Sequence, residues 1–484
     1  MKKAAYWIRT NIVIITSLLI CSWMLFVMIH YSGKSLWGDS IGTISIASPN
    51  HSLWETLKID VTEDVFVAPL FYLVANIWLK IAPYGTVWVK LICELFICIG
   101  IIIASQAAKN MYSDSAGIFT SLFLSICPYS VTQGAYEFRH YALWFMLTAL
   151  LIWFYDRKMK KPTPQNLIGY GMTAILCCYT HFNGVFVFFI LFLWDVSLWM
   201  KKRITIRHIS SYLLWGVLFF PYLVYAYFYA TELTKGFWPN PNFEDLFKID
   251  LQILIEPLLC GIFYISALWA VWRIFTKDNN NNNIGFLIWL ILGYKAINFI
   301  YSNLNQGYSM WIPRYFFCQL PAMMILCAVF ISEILKKAFH KGKLQSAAFC
   351  TLICVVFGFL EILFIRDLRE HRYPEIIHQP FEQTAEILRQ QDDFWNPETA
   401  FYYSAYNIEA WQYYLAHGDM TPGLLHLLPM DLRDVDLSPY RVIYVCELQN
   451  PISEESLKLL QDSYEFEELH HDYKLYRLER KTSF

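Results

Sequence analysis

Charge is what this sequence has least of. Asp, Glu, Lys and Arg make up 16% of its 484 residues, where a soluble domain usually carries about 25%. Hydrophobic residues reach 56% and mean hydropathy is +0.35, which excludes an ordinary soluble globule. The metal signatures are missing too: there is no His-Glu-x-x-His and no paired Cys-x-x-Cys. No Gly-rich phosphate loop is present, so a soluble nucleotide-sugar or ATP site is unsupported. A net charge of −2 argues against nucleic acid as a partner. Eleven of the twelve cysteines lie within or beside apolar blocks, where they pack as small hydrophobes. Cys446 stands alone in the polar C-terminal region, which therefore has no internal disulfide. No small-residue cleavage site closely follows the first apolar block, and that block exceeds the ~7–15 residues of a signal peptide. It reads as a retained helix.

What the chain does have is long apolar blocks. Residues 12–29 contain no charged side chain and suffice to cross roughly 30 Å of hydrocarbon. Three basic clusters, 157–161, 201–207 and 336–343, mark cytoplasmic loops, because such clusters resist translocation. Working outward from them, the expected crossings are 11–31, 86–108, 116–136, 140–156, 167–183, 184–200, 210–230, 251–275, 284–303, 312–335 and 345–366. The fold class is thus a polytopic α-helical membrane protein with about eleven crossings, N-terminus cytoplasmic and C-terminus outside. Parity leaves 66–83 on the outer side as an interfacial or re-entrant segment within an outer loop at 32–85. The polar segments near 137–140, 181–184, 231–250 and 304–313 face the same side.

Beyond residue 367 the composition changes, dividing a transmembrane domain (1–367) from an extracytoplasmic α/β domain (368–484). There, 382–391 reads as an amphipathic helix, 400–404 and 441–446 as strands with a helix near 406–417, and 453–462 as a helix capped by Ser453. Segments 464–470 and 473–478 read as a closing hairpin. The polar run 279–283 reads as a flexible connector.

Several polar residues at the outward turns fit chemistry, and each has a plainer alternative. Asp39, in Trp37-Gly38-Asp39-Ser40, is placed to accept a proton beside the bilayer, or simply to cap the helix that follows. Glu137, Arg139 and His140 concentrate charge at one turn, either to hold a phosphate or to stop two helices sliding into lipid. His181 sits at the next turn, a catalytic group or a histidine satisfied by a backbone carbonyl. Arg314 opens another helix beside Tyr315, suited to a bidentate phosphate contact or to snorkelling. Lys90 and Glu94 lie one helical turn apart and read as an ion pair. Glu63 and Asp64 form an acidic pair in the first loop, with a solvated face as the plainer reading.

Taken in order, these segments resemble the bacterial GT-C glycosyltransferases, specifically the protein mannosyltransferase-like (family 39-like) set related to lipid A aminoarabinose transferases. The resemblance covers nearly the whole chain. Leu36-Trp37-Gly38-Asp39-Ser40 is similar to the family's Leu-Trp-x-Asp-Glu, and Val67-Ala68-Pro69-Leu70-Phe71-Tyr72 to its His-Pro-Pro-Leu-Tyr-Tyr. Glu137-Phe138-Arg139-His140-Tyr141-Ala142-Leu143 resembles Glu-Ala-Arg-x-Tyr-Ala-Leu, and Tyr179-Thr180-His181-Phe182 resembles Tyr-Thr-His-Tyr. Lys90 and Arg314-Tyr315 match a basic residue and a late Arg-Tyr.

The resemblance implies a hexosyl- or pentosyltransferase using a polyprenyl-phosphate sugar donor, with inversion, in the bacterial inner membrane. Asp39 becomes the general base, and Arg139, Arg314 and Lys90 the donor-phosphate ligands. Glu137, Tyr141, His181 and Tyr315 line the site, and the acceptor is a lipid, glycan or protein. Ser40 stands where the family has Glu, and Val67-Ala68 where it has His-Pro. The first change removes a carboxylate, so that Glu63 or Asp64 compensates, the acceptor differs or activity is reduced, and it weakens the case for the divalent cation some relatives bind. A lipid-linked glycan transporter and a non-catalytic relative are the competing classes, although no internal repeat of transporter type is present.

Overall fold

Among the described residues, helices form along the apolar blocks, since inside hydrocarbon every backbone N–H and C=O must be bonded within its own segment. The structure, a computed structural model, describes residues 2–31, 35–36, 38–63, 68–82, 85–233, 240–276, 282–304, 309–339, 355–356, 358–367, 380–403, 408–415, 426–428, 432, 435–447 and 452–481. They form two compact units.

The larger unit takes in 1–31, 46–81 and 90–376. Its helices include α1 (Lys2–Tyr31), α3 (Leu53–Glu63), α4 (Leu70–Leu79), most of α5 (Thr86–Met111), α6 (Asp114–Ile126), α7 (Tyr141–Lys160), α8 (Pro164–Thr180), α9 (Gly184–Met200), α10 (Ile206–Leu233), α11 (Asp245–Leu254), α12 (Pro257–Phe275), α13 (Asn282–Leu304) and α14 (Leu320–Phe339). Among the described residues, five helical stretches are long and apolar enough to cross a membrane: Thr10–Tyr31, Thr86–Met111, Pro257–Phe275, Asn282–Leu304 and Pro313–Lys337. The last is the centre of the bundle, with Leu320 and every residue from Ala322 to Val329 buried. It packs on α6, α12, α13 and α7, while α7, α8 and α9 stack in sequence order.

Three expected crossings are corrected in detail, each at a proline. The segment 116–136 is not one helix. It breaks at the extended Cys127, which precedes Pro128, and resumes as a π-helix, Ser130–Ala135. The segment 251–275 breaks at Ile255, whose φ is 58°, before Pro257 takes the first position of α12. The segment 312–335 begins as a 3-10 helix, Pro313–Gln319. At 10 residues, α4 is about 15 Å long, half the thickness of a bilayer core. Of the expected crossing 345–366, residues 345–354 and 357 lie outside the described residues, and 358–366 is helical. So do 279–281 of the expected connector.

A feature the sequence reading passed over starts α3. The amide of Glu55 donates to Ser52 Oγ (3.2 Å), and the Glu55 carboxylate accepts from the Ser52 amide (2.7 Å), a reciprocal capping box. The Ser52 amide and hydroxyl hold the Glu55 carboxyl below its ordinary range.

The smaller unit takes in 32–45, 82–89 and 377–484. It is a mixed five-stranded sheet of order β2-β1-β3-β5-β4, built from β1 (Thr399–Tyr403), β2 (His426–Leu428), β3 (Val442–Cys446), β4 (Tyr464–His470) and β5 (Leu475–Arg480). β1 runs parallel to β2 and β3, while β5 lies antiparallel between β3 and β4. Alternation sorts the faces: Ala400, Tyr402, Ile443, Val445 and Leu478 join the core that helix Glu454–Ser463 covers through Leu460. Phe401 and Tyr444 pack instead with Trp411 and Phe394. Ser453 caps its helix, accepting from the Ser456 amide at 3.2 Å. Among the described residues, the three-residue β2 is a strand that the sequence reading did not expect. Within this unit, Ser35 and Leu36 are tied to C-terminal helices: the Glu382 amide donates to Ser35 Oγ (2.8 Å), and the Leu36 amide to Tyr414 Oη (2.5 Å).

Candidate functional site

Three turns of the larger unit converge. The first joins α6 to α7. The π-helix widens the backbone there, and Gly134 within it has no room for a side chain: a Cβ would lie 2.7 Å from both Ile97 Cδ1 and Phe317 Cζ. The turn then presents Glu137, Phe138 and Arg139, and His140 opens α7. The second is the α8–α9 hairpin, where His181 leaves the helix in an extended conformation. Gly184 follows, where a Cβ would meet the Cys177 carbonyl oxygen at 2.3 Å. The third is the 3-10 helix at 313–319, which carries Arg314 and Tyr315 and is held by Tyr294 Oη donating to the Tyr315 carbonyl (2.8 Å).

The aromatic rings knit these turns into one cluster. The His140 and His181 centroids are 4.6 Å apart, Trp144 stacks on His181 at 4.8 Å, and Tyr315 meets His181 at 4.7 Å. Tyr141 touches His140 at 4.1 Å. Both Arg139 and Arg314 lie close enough to act electrostatically on His140, His181 and Tyr141. Arg139 donates to Tyr72 Oη at 3.2 Å, and Phe138 packs edge-on against Phe71, so α4 docks on the first turn. Lys90, on α5, lies over the Tyr136 ring at 5.5 Å. Next to it Cys93 donates to the Arg139 carbonyl and feels the fields of Glu94, Glu137 and Lys90.

Lys90, Glu137, Arg139, Tyr141, His181, Arg314 and Tyr315 are therefore gathered in one region. Two details depart from the sequence reading. Neither carboxylate oxygen of Glu94 has a hydrogen-bond partner among the described residues, so Lys90 acts on it through charge without a hydrogen bond. His181 is not satisfied by a carbonyl: its Nδ1 accepts from the Asn183 amide at 3.0 Å. That assigns the neutral ring's proton to Nε2, which is buried and has no partner among the described residues. His140 is fully buried, and neither of its nitrogens has a hydrogen-bond partner among them. Groups of this kind are costly to bury unless something satisfies them. Chemically, the assembly offers three cations and an imidazole N–H, the donors a phosphate takes.

Asp39 belongs to the smaller unit. It is half-buried in the first turn of α2 (Gly38–Ile46), where the N-terminal dipole favours a carboxylate, and its carbonyl accepts from Thr43 Oγ1 at 3.0 Å. Ser40 beside it is buried. Glu63 closes α3, while Trp37, Asp64 and Val67 lie outside the described residues.

Sequence reading missed two buried ion pairs. Lys158 Nζ lies 2.5 Å from Asp195, which also accepts from Tyr212 Oη (2.7 Å), and Lys295 pairs with Asp250, which accepts from Tyr264 (3.0 Å). For Asp195 and Lys295 the only signal was a charge inside an apolar block, while Lys158 lay hidden within the basic cluster 157–161. Tyr72 was in view only through the Pro-Leu-Phe-Tyr resemblance. Among the described residues no group of three His, Cys, Asp or Glu converges.

The architecture is the GT-C fold. ArnT from Cupriavidus metallidurans, in a crystal structure with undecaprenyl phosphate bound, aligns over 95% of this chain and 97% of its own, with a TM-score of 0.57 and 12% identity. The archaeal oligosaccharyltransferase AglB from Archaeoglobus fulgidus, in complex with an inhibitory peptide and a dolichol-phosphate, aligns over 98% of this chain and 75% of its own, with a TM-score of 0.53 and 9% identity. At such identities the likeness is one of fold. No protein-family model and no curated protein matches the sequence.

Proposed function

We propose that this chain is a membrane glycosyltransferase that moves a sugar from a polyprenyl-phosphate donor to an acceptor on the extracytoplasmic face. The observation that carries this reading is the convergence of Arg139 and Arg314 on the two buried histidines, His140 and His181, with Lys90 over the ring of Tyr136 in the adjoining turn. Support comes from the fold, since ArnT and AglB were each solved with a lipid phosphate.

In the reaction, Asp39 takes the proton of the acceptor hydroxyl or amine. The freed lone pair attacks the anomeric carbon from the side opposite the phosphate, which inverts that centre. The carbon–oxygen bond to phosphate breaks, and its electron pair stays on the leaving phosphate. Arg139, Arg314 and Lys90 stabilise that growing charge, where fixed donors in a dry site are most effective. Glu137, Tyr141, His181 and Tyr315 shape the surroundings. With Ser40 in place of a carboxylate, the alternatives are compensation by Glu63 or Asp64, a different acceptor, or reduced activity. The N-terminus is cytoplasmic and the C-terminal domain extracytoplasmic, as the basic loops dictate.

The test is a transfer assay with a polyprenyl-phosphate sugar. Asp39→Asn is expected to abolish transfer while insertion and folding persist, and full activity in that variant would refute the base. Vectorial transport of lipid-linked glycan in liposomes, with no covalent product, would replace this reading with a transporter.

A further inference from the structure

Away from the three turns, a groove of about 890 Å³ runs between α9 and α13. Its walls are apolar, including Leu193, Trp194, Ile288, Trp289 and Ile297, and its floor is opened by Gly285, Gly293 and Ala296 on α13. Both indole N–H groups are already spent inside the protein, Trp194 on Tyr155 Oη (3.1 Å) and Trp289 on the Ile190 carbonyl (2.7 Å). The rings therefore offer only carbon to an occupant.

Polarity is confined to one end. There the lining is Lys201, Arg203 and Asn282, and no Asp or Glu lines the groove. The turn that carries the cations is fixed by backbone geometry. Lys202 adopts φ 59°, where glycine is the usual residue, and the Lys202 and Arg203 amides donate back to the carbonyls of Trp199 (2.8 Å) and Leu198 (2.9 Å). Arg203 also donates to Asn282 Oδ1, which joins the turn to the start of α13 without cancelling its charge. The lining of α13 from Asn282 to Ile300 is about 27 Å long at 1.5 Å per residue. A slot of that length, dry along its walls and cationic at one mouth, has the polarity of an amphiphile bearing one anionic head.

We propose that this groove binds an anionic phospholipid, its phosphate against Lys201 and Arg203 and its acyl chains along Gly285, Gly293 and Ala296. The lipid belongs to the leaflet that the basic 201–207 turn faces, which is the cytoplasmic one in the topology above. The site is distinct from the His140–His181 cluster and would stand even if no sugar were transferred.

Native mass spectrometry of the full chain, released from nanodiscs of equal parts phosphatidylglycerol and phosphatidylcholine, tests this. The wild type is expected to keep one phosphatidylglycerol under activation that strips phosphatidylcholine. Lys201→Ser with Arg203→Ser, at exposed positions that leave the core intact, should lower that preference about thirtyfold. Gly293→Trp should expel lipid of both classes, and since a Cβ at Gly293 meets nothing nearer than 3.5 Å, Gly293→Ala serves as the folded control that keeps it. Unchanged selectivity in the double serine variant overturns the proposal. So does displacement of phosphatidylglycerol by undecaprenyl phosphate at equal concentration, or occupation of the groove by a second copy of the chain.

Discussion

His181 and His140 come from different helix turns, yet their imidazole centroids lie 4.6 Å apart. Because Asn183 donates to Nδ1 of His181, its Nε2–H points the only remaining hydrogen-bonding group of that ring into the cluster. A donor phosphate held by the neighbouring guanidiniums would use it. His181→Ala should weaken binding of undecaprenyl phosphate about tenfold, the worth of one charge-assisted hydrogen bond. His181→Gln, which keeps an N–H donor, should recover part of the loss. Titration of the purified variants with the lipid checks both.

Gly134 is the hinge pin of the same region. Alanine there would press on Phe317, itself packed between Tyr129 and Phe145 at 5.6 and 5.3 Å. Overpacking of this sort costs about 1–3 kcal/mol. Gly134→Ala should lower the melting temperature in detergent, and should cut transfer further, because the 313–319 turn carries Arg314.

The Lys158–Asp195 pair makes a different prediction. Lys158 is 1% and Asp195 0% exposed, so removing one partner strands a buried charge. Lys158→Met should cost about 3–5 kcal/mol, whereas Lys158→Met combined with Asp195→Leu should cost far less. Thermal unfolding of the single and double variants measures the difference.

In the smaller unit, Asp393 accepts from Arg477 Nη2 at 2.6 Å and from Tyr444 Oη. Burial alone would raise its carboxyl, but the Tyr444 and Arg477 hydrogen bonds outweigh that and hold it below the usual range. A depressed carboxyl stabilises the fold above its unfolded value of about 3.9 and loses that contribution as pH falls through the lower folded value. Hydrogen exchange of β5 amides should therefore speed up as pH drops below about 4, after correction for intrinsic rates. Asp393→Asn should already exchange faster at neutral pH, by about 1–3 kcal/mol of lost protection, and should show a flatter acid response.

How much of this could be read from residues alone follows from the range of the interactions involved. The helices and the α/β region were legible because burial imposes periodicities of whole blocks or alternate residues. Helix breaks at Cys127 and Ile255 were equally local, written in Pro128 and Pro257, but long apolar blocks masked them. The gathering of Glu137, Arg139, His181 and Arg314 depended on order and resemblance, since no spacing along the chain encodes a contact between separate turns. The partners of Lys158 and Lys295 were out of reach for that reason: Asp195 is 37 residues away and Asp250 is 45. The basic end of the α9–α13 groove was read only as a cytoplasmic marker, because the groove itself exists only once the two helices pack.

The role proposed for the cations at these turns is to hold a lipid phosphate. Undecaprenyl phosphate binding to the purified full chain, compared with Arg139→Ala and Arg314→Ala, tests it without requiring the sugar or the acceptor to be known. Each substitution is expected to weaken binding about tenfold to a hundredfold, with the fold retained. Binding unchanged in both variants would contradict the claim.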